Sequence, residues 1–444
     1  MSVQRSVSKT GSAVDSVTIE PGWADWRARL EKPNTSEEAL ADRAMLAVPT
    51  DRPVLLSGHQ PIVFHPGIAA KLAAMMIAAE RSGSAALWIV PDQDAVDPMA
   101  VRVPQGFGGS LTEQTIRLAP PMPLGVASAS LPSVKTIDEA LPGILQPLRD
   151  RLLAHADEPT LARQVALATI PLAAEWLGVQ TPMIVFASEM MKTLGVRGIL
   201  EKIQQDPIGA ISAYNNAVRA HPGAGVRPLI IDGDRVELPL WRSEMNTPRR
   251  AVFADELGSI PECELLPRGL LMTGGARRTL GELFIHGIGG WAYDKITERW
   301  LSDWFGSASA PITLVSATQR LELFETSEAV DPDKAVWRAH HARHNPAILG
   351  DAASAGEKRS LVERIGRAKG EGVEPSALFG ELQRLLEGYR QRHADELARL
   401  DRLAGDARKN RDALTLAMDR TWPFVNFNAQ GGYALSERVR AAMG

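Results

Sequence analysis

VLLSGHQPIVFHPGIAAKLAAMMIAAERSGSAALWIV, residues 54–90, decides the fold. Val54 to Leu56 is a short apolar run ended by Ser57-Gly58, which predicts a buried strand. Ile68 to Arg81 is Ala-rich and apolar on most faces, which predicts a buried helix. Ala85 to Val90 is a second apolar run, stopped by Pro91. Strand, loop, helix and strand in this order make a βαβ unit, whose two strands are expected to run parallel.

The same alternation continues outward. Met183 to Ala187, Val226 to Ile231 and Ile312 to Ser316 predict strands, and Trp23 to Leu46, Thr136 to Ala154, Thr160 to Leu177 and Lys192 to Arg219 predict helices. The expected fold is α/β, with helices on both faces of a parallel sheet. From about Asp351 the strand signals vanish. Leu378, Leu382, Leu385, Tyr389, Leu397, Leu400 and Leu403 then recur at helical spacing after Pro375, interrupted by Gly380, Gly388 and Gly405. That stripe must meet either its own domain or a second copy, because soluble monomers avoid large exposed apolar surfaces. The expected organisation is a flexible polar arm at 1–22, an α/β core at 23–350, and a helical coiled-coil arm with a tail at 351–444.

Composition limits the function classes. Of 444 residues, 45% are hydrophobic and 23% charged, which excludes wholesale disorder. Lys plus Arg number 49 against 53 Asp plus Glu, a net charge of −4, so no basic excess points to nucleic acid or a membrane surface. Cys263 is the one cysteine, so neither an internal disulfide nor a multi-cysteine zinc site can form. No apolar run reaches the roughly 20 residues of a spanning helix, and the N-terminus lacks the apolar region of a secretory signal. A cytoplasmic protein acting on small molecules is expected.

Three segments can carry chemistry. The first is Ser57-Gly58-His59-Gln60, followed by His65-Pro66-Gly67, at the carboxyl end of a strand, where open α/β sheets bind ligands. The first turn of the following helix is expected to offer free N–H groups to a phosphate or carboxylate, with Gly58 and Gly67 permitting close approach. His59 and His65 would add hydrogen bonds as charge accumulates. A purely structural turn is the competing reading. The second segment is Trp88 to Asp97, with Asp92, Asp94 and Asp97 directly after the next strand. These carboxylates suit a substrate amine, a ribose hydroxyl or Mg²⁺, or general-base work. Alternatively they make a solvated acidic turn. The third is LFIHGIGGWAYDKITERW, where His286, Gly289 and Gly290 precede a helix carrying Tyr293, again a candidate anion site. Thr273 to Arg278 would add cationic contacts nearby. His340, His341 and His344 lack an acidic ligand at suitable spacing, so no metal centre is expected. The serine-hydrolase elbow, the P-loop and the zincin motif are all absent.

His65-Pro66-Gly67 resembles a degenerate form of the HxGH signature of nucleotidylyltransferases, with Ile68 in place of the second His. Taken in order, SGHQPIVFHPG, the strand ending LWIVPDQDAVD, the IHGIGGWAYD turn and the helical arm resemble the bacillithiol-biosynthesis cysteine-adding enzyme family. The likeness covers Val54 to Asp97 well and Leu283 to Asp294 moderately. It implies a Rossmann-like core and a dimerising coiled-coil arm. It also implies a ligase that uses ATP or another nucleotide to form a carbon–nitrogen amide bond between cysteine and an amino-sugar conjugate, leaving any Mg²⁺ requirement open. Gly58, His59 and Gln60 match the family's first turn, and Asp92 and Asp97 match acidic positions of its second. Asp94 stands where the family has a His, and Ala95 replaces a neighbouring acid. In this reading His59, His65, Asp92 and Asp94 are catalytic, and Ser57, Gly58, Gln60, Gly67, Asp97, His286, Gly289, Gly290 and Tyr293 bind an amino acid, an amino sugar or a nucleotide. A nucleotidylyltransferase and a non-catalytic nucleotide- or sugar-binding protein are the alternatives.

Overall fold

His65, Pro66 and Gly83 set the limits of the central helix. His65 caps its start, Pro66 takes the first helical position, and Gly83 ends it in the left-handed region at φ 69°. Between them Pro66–Ser82 buries twelve residues, Leu72 and Met75 completely. Replacing Leu72 by Ala would cost about 2–5 kcal/mol. The computed structural model describes residues 12–306, 309–323 and 331–444. The chain divides into two compact units: Met1–Val103, Gln114–Leu321 and Arg420–Gly444 form the first, Pro104–Glu113 and Glu322–Asp419 the second.

The first unit is mixed α/β around a six-stranded sheet in the order Ser12–Glu20, Ile312–Leu321, Leu283–His286, Val54–Gly58, Ala85–Val90, Met183–Phe186. The last five run parallel. Val54 and Leu56 point into a core shared with Leu87, Ile89, Phe284 and the helices around Val196, Leu271 and Trp300. Helix Pro66–Ser82 packs against strand Ile312–Leu321 and helices Leu161–Leu177 and Ala429–Ala442.

Several expectations need correction. The polar arm at 1–22 is, over its described part, the edge strand Ser12–Glu20, paired antiparallel to Ile312–Leu321 with Ile19 opposite Val315; residues 1–11 lie outside the described residues. Trp23 to Leu46 forms two helices, Trp23–Arg29 and Glu37–Met45, because Pro33 interrupts the run. Thr136 to Ala154 is α-helical only over Gln146–Ala154, after Pro142. Lys192 to Arg219 splits at Asp206-Pro207, where the Asp206 carboxylate accepts from Gly209 N and caps the second helix. Of Val226 to Ile231 only Ile231 is in a strand. It belongs to a separate four-stranded sheet built on Arg235–Arg242, with Gly233 at φ 57° making the hairpin turn.

The second unit is helical: Pro332–Ala342, Ala352–Gly370, Ser376–Arg392, Ala394–Lys409 and Arg411–Met418. The run after Pro375 is interrupted at His393 and Asn410, so it is three helices rather than one. Pro332–Ala342 packs on Ala394–Lys409, and Ala352–Gly370 on Ser376–Arg392. Tyr389 is fully buried and donates its hydroxyl to Ala342 O at 2.7 Å. Leu397 is buried too, whereas Leu382, Leu385 and Leu400 are half-buried. The boundaries at 350 and 351 therefore shift. The helical unit already includes Glu322 onward and stops at Asp419. The last residues return to the first unit, because Trp422, Phe424, Phe427, Leu435 and Val439 are buried there. No helix among the described residues is long and apolar enough to cross a membrane.

Candidate functional site

Strands Leu283–His286, Val54–Gly58 and Ala85–Val90 lie side by side, so the three motif loops leave the same edge of the sheet. The first loop is packed more closely than a ligand cradle would be. Ser57 is buried and its Oγ donates to Ile285 O at 2.9 Å, locking two strands instead of facing a ligand. A Cβ on Gly58 would lie 2.1 Å from Ile89 O, so glycine is required by the neighbouring strand. His65 Nδ1 accepts from Gly67 N at 3.0 Å, and a Cβ on Gly67 would meet His65 Cε1 at 2.8 Å.

That capping overturns the expected anion site. Pro66 has no N–H, Gly67 N–H is taken by the His65 ring, and Ile68 and Ala69 N–H both go to His65 O. The helix start is satisfied by its own sequence. His65 and Gly67 cap and tighten this helix start.

The third loop behaves differently. Helix Ile288–Trp300 begins at Gly287 with no side-chain cap, and its first bond back to the cap runs from Trp291 N to Gly287 O at 2.9 Å. The preceding N–H groups of Ile288, Gly289 and Gly290 are the ones a helix leaves without intrahelical acceptors. Gly289 is exposed, with open space where a Cβ would stand.

Between these loops stands Lys71. Its side chain is buried, and its Nζ donates to Gly58 O at 2.6 Å and lies 5.4 Å from the Trp88 ring centre. Among the described residues no carboxylate pairs with it. Burial lowers its ammonium to about 7. Its stem passes Gly287, whose Cβ position is 3.8 Å from Lys71 Cδ. Burial also drives His59 down to about 3, with Lys71 and His65 adding to the effect, so this half-buried imidazole is neutral. His286 is lowered by burial too, against the pull of Asp294.

His286 stacks on Phe284 at 4.3 Å, and its Nε2 meets Asp294 Oδ2 at 2.9 Å. Asp294 is fully buried, accepting from Thr273 Oγ1 at 2.6 Å and from Arg277 at 2.9 Å. Burial works upward on this carboxyl, but His286, Arg277 and Thr273 outweigh it and hold it well below the usual range. Arg277 also pairs with Glu298 at 2.6 Å. Thr273 to Arg278 is thus a buried helical segment within Gly269–Thr279, and not a cationic turn.

The acidic loop separates into three roles. Asp92 is buried and accepts from Ser188 N at 3.0 Å and Ser188 Oγ at 2.5 Å. Burial raises it to about 6 despite those bonds. Asp97 accepts from Met99 N at 3.0 Å and pairs with Arg117 at 2.6 Å. The bonds of these two carboxylates go to Ser188, Met99 and Arg117 and not to the His286–Asp294 cluster. Asp94 accepts from Gln60 Nε2 at 3.0 Å and lies 3.7 Å from Arg249. Arg249 and Arg268 both lie against the Trp241 ring, at 4.7 and 3.7 Å. Burial pushes the Tyr293 hydroxyl well above its ordinary value, and a Cβ on Gly269 would be 1.9 Å from that oxygen.

With their carboxylates so divided, Asp92, Asp94 and Asp97 do not fit a shared Mg²⁺ site, and no group of three or more His, Cys, Asp or Glu among the described residues could hold a metal. Two cavities lie away from this edge. One, of about 460 Å³, is lined by Met76, Glu80, Gly178, Met183 and Arg440 in the first unit. The other, of about 700 Å³, is lined by Asn345, Lys358, Arg359 and Glu363 in the helical unit.

Lys71, Asp294, Arg249 and Arg268 are not among the residues that the motifs single out. Lys71 had a signal of its own: it is the single charge in the apolar run from Ile68 to Ala79. The other three give no sequence-local sign. Compared with protein-family models the chain matches none, and it has no significant match among curated proteins.

Proposed function

We propose that the chain is a ligase of the type its motifs resemble: a Rossmann-like, nucleotidylyltransferase-related core that activates a carboxyl group with ATP or another nucleotide and joins it to an amine. The observation that carries this reading is Lys71, a buried cation without a carboxylate partner beside an uncapped helix start. A ligand phosphate or carboxylate there supplies the missing negative charge and accepts the free N–H groups of residues 288–290. His59, held neutral by burial, donates or accepts a hydrogen bond at the same edge without adding charge. Gln60 and Asp94, braced by Arg249, present a carboxylate to the amine partner. The amino acid and amino-sugar conjugate of the cysteine-adding family are the substrates this reading names. The helical unit pairs with a second copy as a coiled-coil arm, which light scattering tests as twice the chain mass.

Incubation with ATP, cysteine and glucosaminyl-malate is expected to give ADP, phosphate and an amide, with both organic substrates required. Pyrophosphate release would favour nucleotidyl transfer instead. ATP-dependent thermal stabilisation with no turnover would favour a binding protein that has lost the chemistry. No stabilisation and no product would remove the ligase reading.

A further inference from the structure

We infer that His286 is the group that takes the proton from the attacking amine, through Nδ1, and that Asp294 is its positioning residue; the inference rests on the ligase reading above. The geometry starts from Asp294. Its Oδ1 accepts from Thr273, and its Oδ2 accepts from Arg277 and lies 2.9 Å from His286 Nε2. A carboxylate in that setting is ionised and can only accept, so Nε2 carries the hydrogen and donates it. The same assignment leaves Nδ1 as the ring's lone pair. Nδ1 packs against Gly290, where a Cβ would stand 2.6 Å from it, and the ligase reading puts the anionic part of the substrate at the Gly287–Gly290 turn. Stacking on Phe284 fixes the ring plane. This is the logic of a buried acid that holds an imidazole in one tautomer and stabilises the imidazolium that forms.

The step balances as follows. The nucleoside triphosphate has given its terminal phosphoryl group to the carboxylate. The amine nitrogen then attacks the acyl carbon, the bond from that carbon to the phosphate oxygen breaks, and inorganic phosphate leaves. The proton lost by nitrogen passes to Nδ1 and from there to solvent. Of the acids expected to do this, Asp92 is engaged with Ser188, and Asp94, held by Gln60 and Arg249, orients the amine without taking its proton. The charged groups facing His286 are Asp294, Lys71 and Arg277.

The test compares two amines with the same activated acyl group. With ATP and cysteine, wild-type protein is assayed against glucosaminyl-malate, an ordinary amine whose attack depends on a base, and against hydroxylamine, a stronger nucleophile of low basicity whose acylation also releases a proton but depends far less on a base. His286→Ala is expected to slow amide formation with the first by about 10²–10⁴-fold, the usual range for losing a general base. It should change the hydroxylamine rate less than about tenfold, and added imidazole should restore part of the loss. Asp294→Asn, which can donate to Nε2 and so favours the wrong tautomer, should shift the acid limb of the kcat/KM pH profile. Should that variant misfold, His286→Ala alone decides. Equal slowing with both amines, or a rate within threefold of wild type with glucosaminyl-malate, overturns the role of His286 while leaving the ligase reading intact. A wild-type protein that forms neither product overturns the ligase reading and this inference with it.

Discussion

The loops at Ser57–Gly67 and His286–Gly290 look alike in the sequence: each follows a parallel strand, contains glycine and histidine, and opens a helix. In the structure they differ in what their backbone N–H groups do. At the first, His65 and Pro66 consume or remove every donor of the opening turn. At the second, no side chain caps the helix and Gly289 faces open space. A strand-turn-helix with glycine is therefore not by itself an anion site; what decides is whether the loop's own residues have already satisfied the donors.

Lys71 belongs to the first loop's helix but its side chain lies beside the second loop, and changing it should give the largest effect. Lys71→Met is expected to abolish ATP-dependent thermal stabilisation and to lower turnover by at least about 100-fold, an electrostatic loss in a water-poor site. Its stability signature has a definite sign. In wild type, burial lowers the ammonium from 10.5 to about 7, so the penalty is fully present below pH 7 and is relieved as pH rises toward 10.5. The Met variant should lack that gain, a difference on the order of a few kcal/mol across the window, read from denaturant midpoints at pH 7 and pH 10. A Met variant that keeps both the ATP response and the pH slope would break the distinction between the loops.

A pair of glycine changes sharpens it at intermediate size. Gly67→Ala forces a Cβ against His65 Cε1 and Ala317 O, and should destabilise by about 1–3 kcal/mol. Gly289→Ala has room and should change stability by less than about 0.5 kcal/mol. Gly289→Pro removes one N–H in the first turn, where proline is tolerated, and should weaken ATP binding about tenfold by calorimetry. The comparison fails if Gly67→Ala, and not Gly289→Pro, is the variant that weakens binding.

The smallest effect belongs to His65. His65→Ala loses a helix cap and should cost about 1 kcal/mol in urea unfolding, while ATP affinity stays within about twofold. A large drop in ATP affinity without loss of stability would return His65 to the site.

Asp92 shows why half of the acidic loop could not be read in advance. Its sequence setting, directly after a buried strand, suits a general base, yet its carboxylate turns to Ser188, 96 residues away. Asp294, eight residues after His286, has no local sign of its setting, because its partners Arg277 and Thr273 lie on another helix.

The sequence by itself determined the βαβ unit, the buried helix between its strands and the sheet edge at which the first two loops emerge. Hydrophobic period, glycine and proline are local quantities, and they act on residues close in the chain. Only the tertiary structure decided that strand Leu283–His286 inserts beside Val54–Gly58, that residues 12–20 complete the sheet and that the last helix returns to cover Pro66–Ser82. It also decided which polar groups are spent on neighbours. Those outcomes depend on hydrogen-bond partners and desolvation set by segments distant in sequence, which no local pattern encodes.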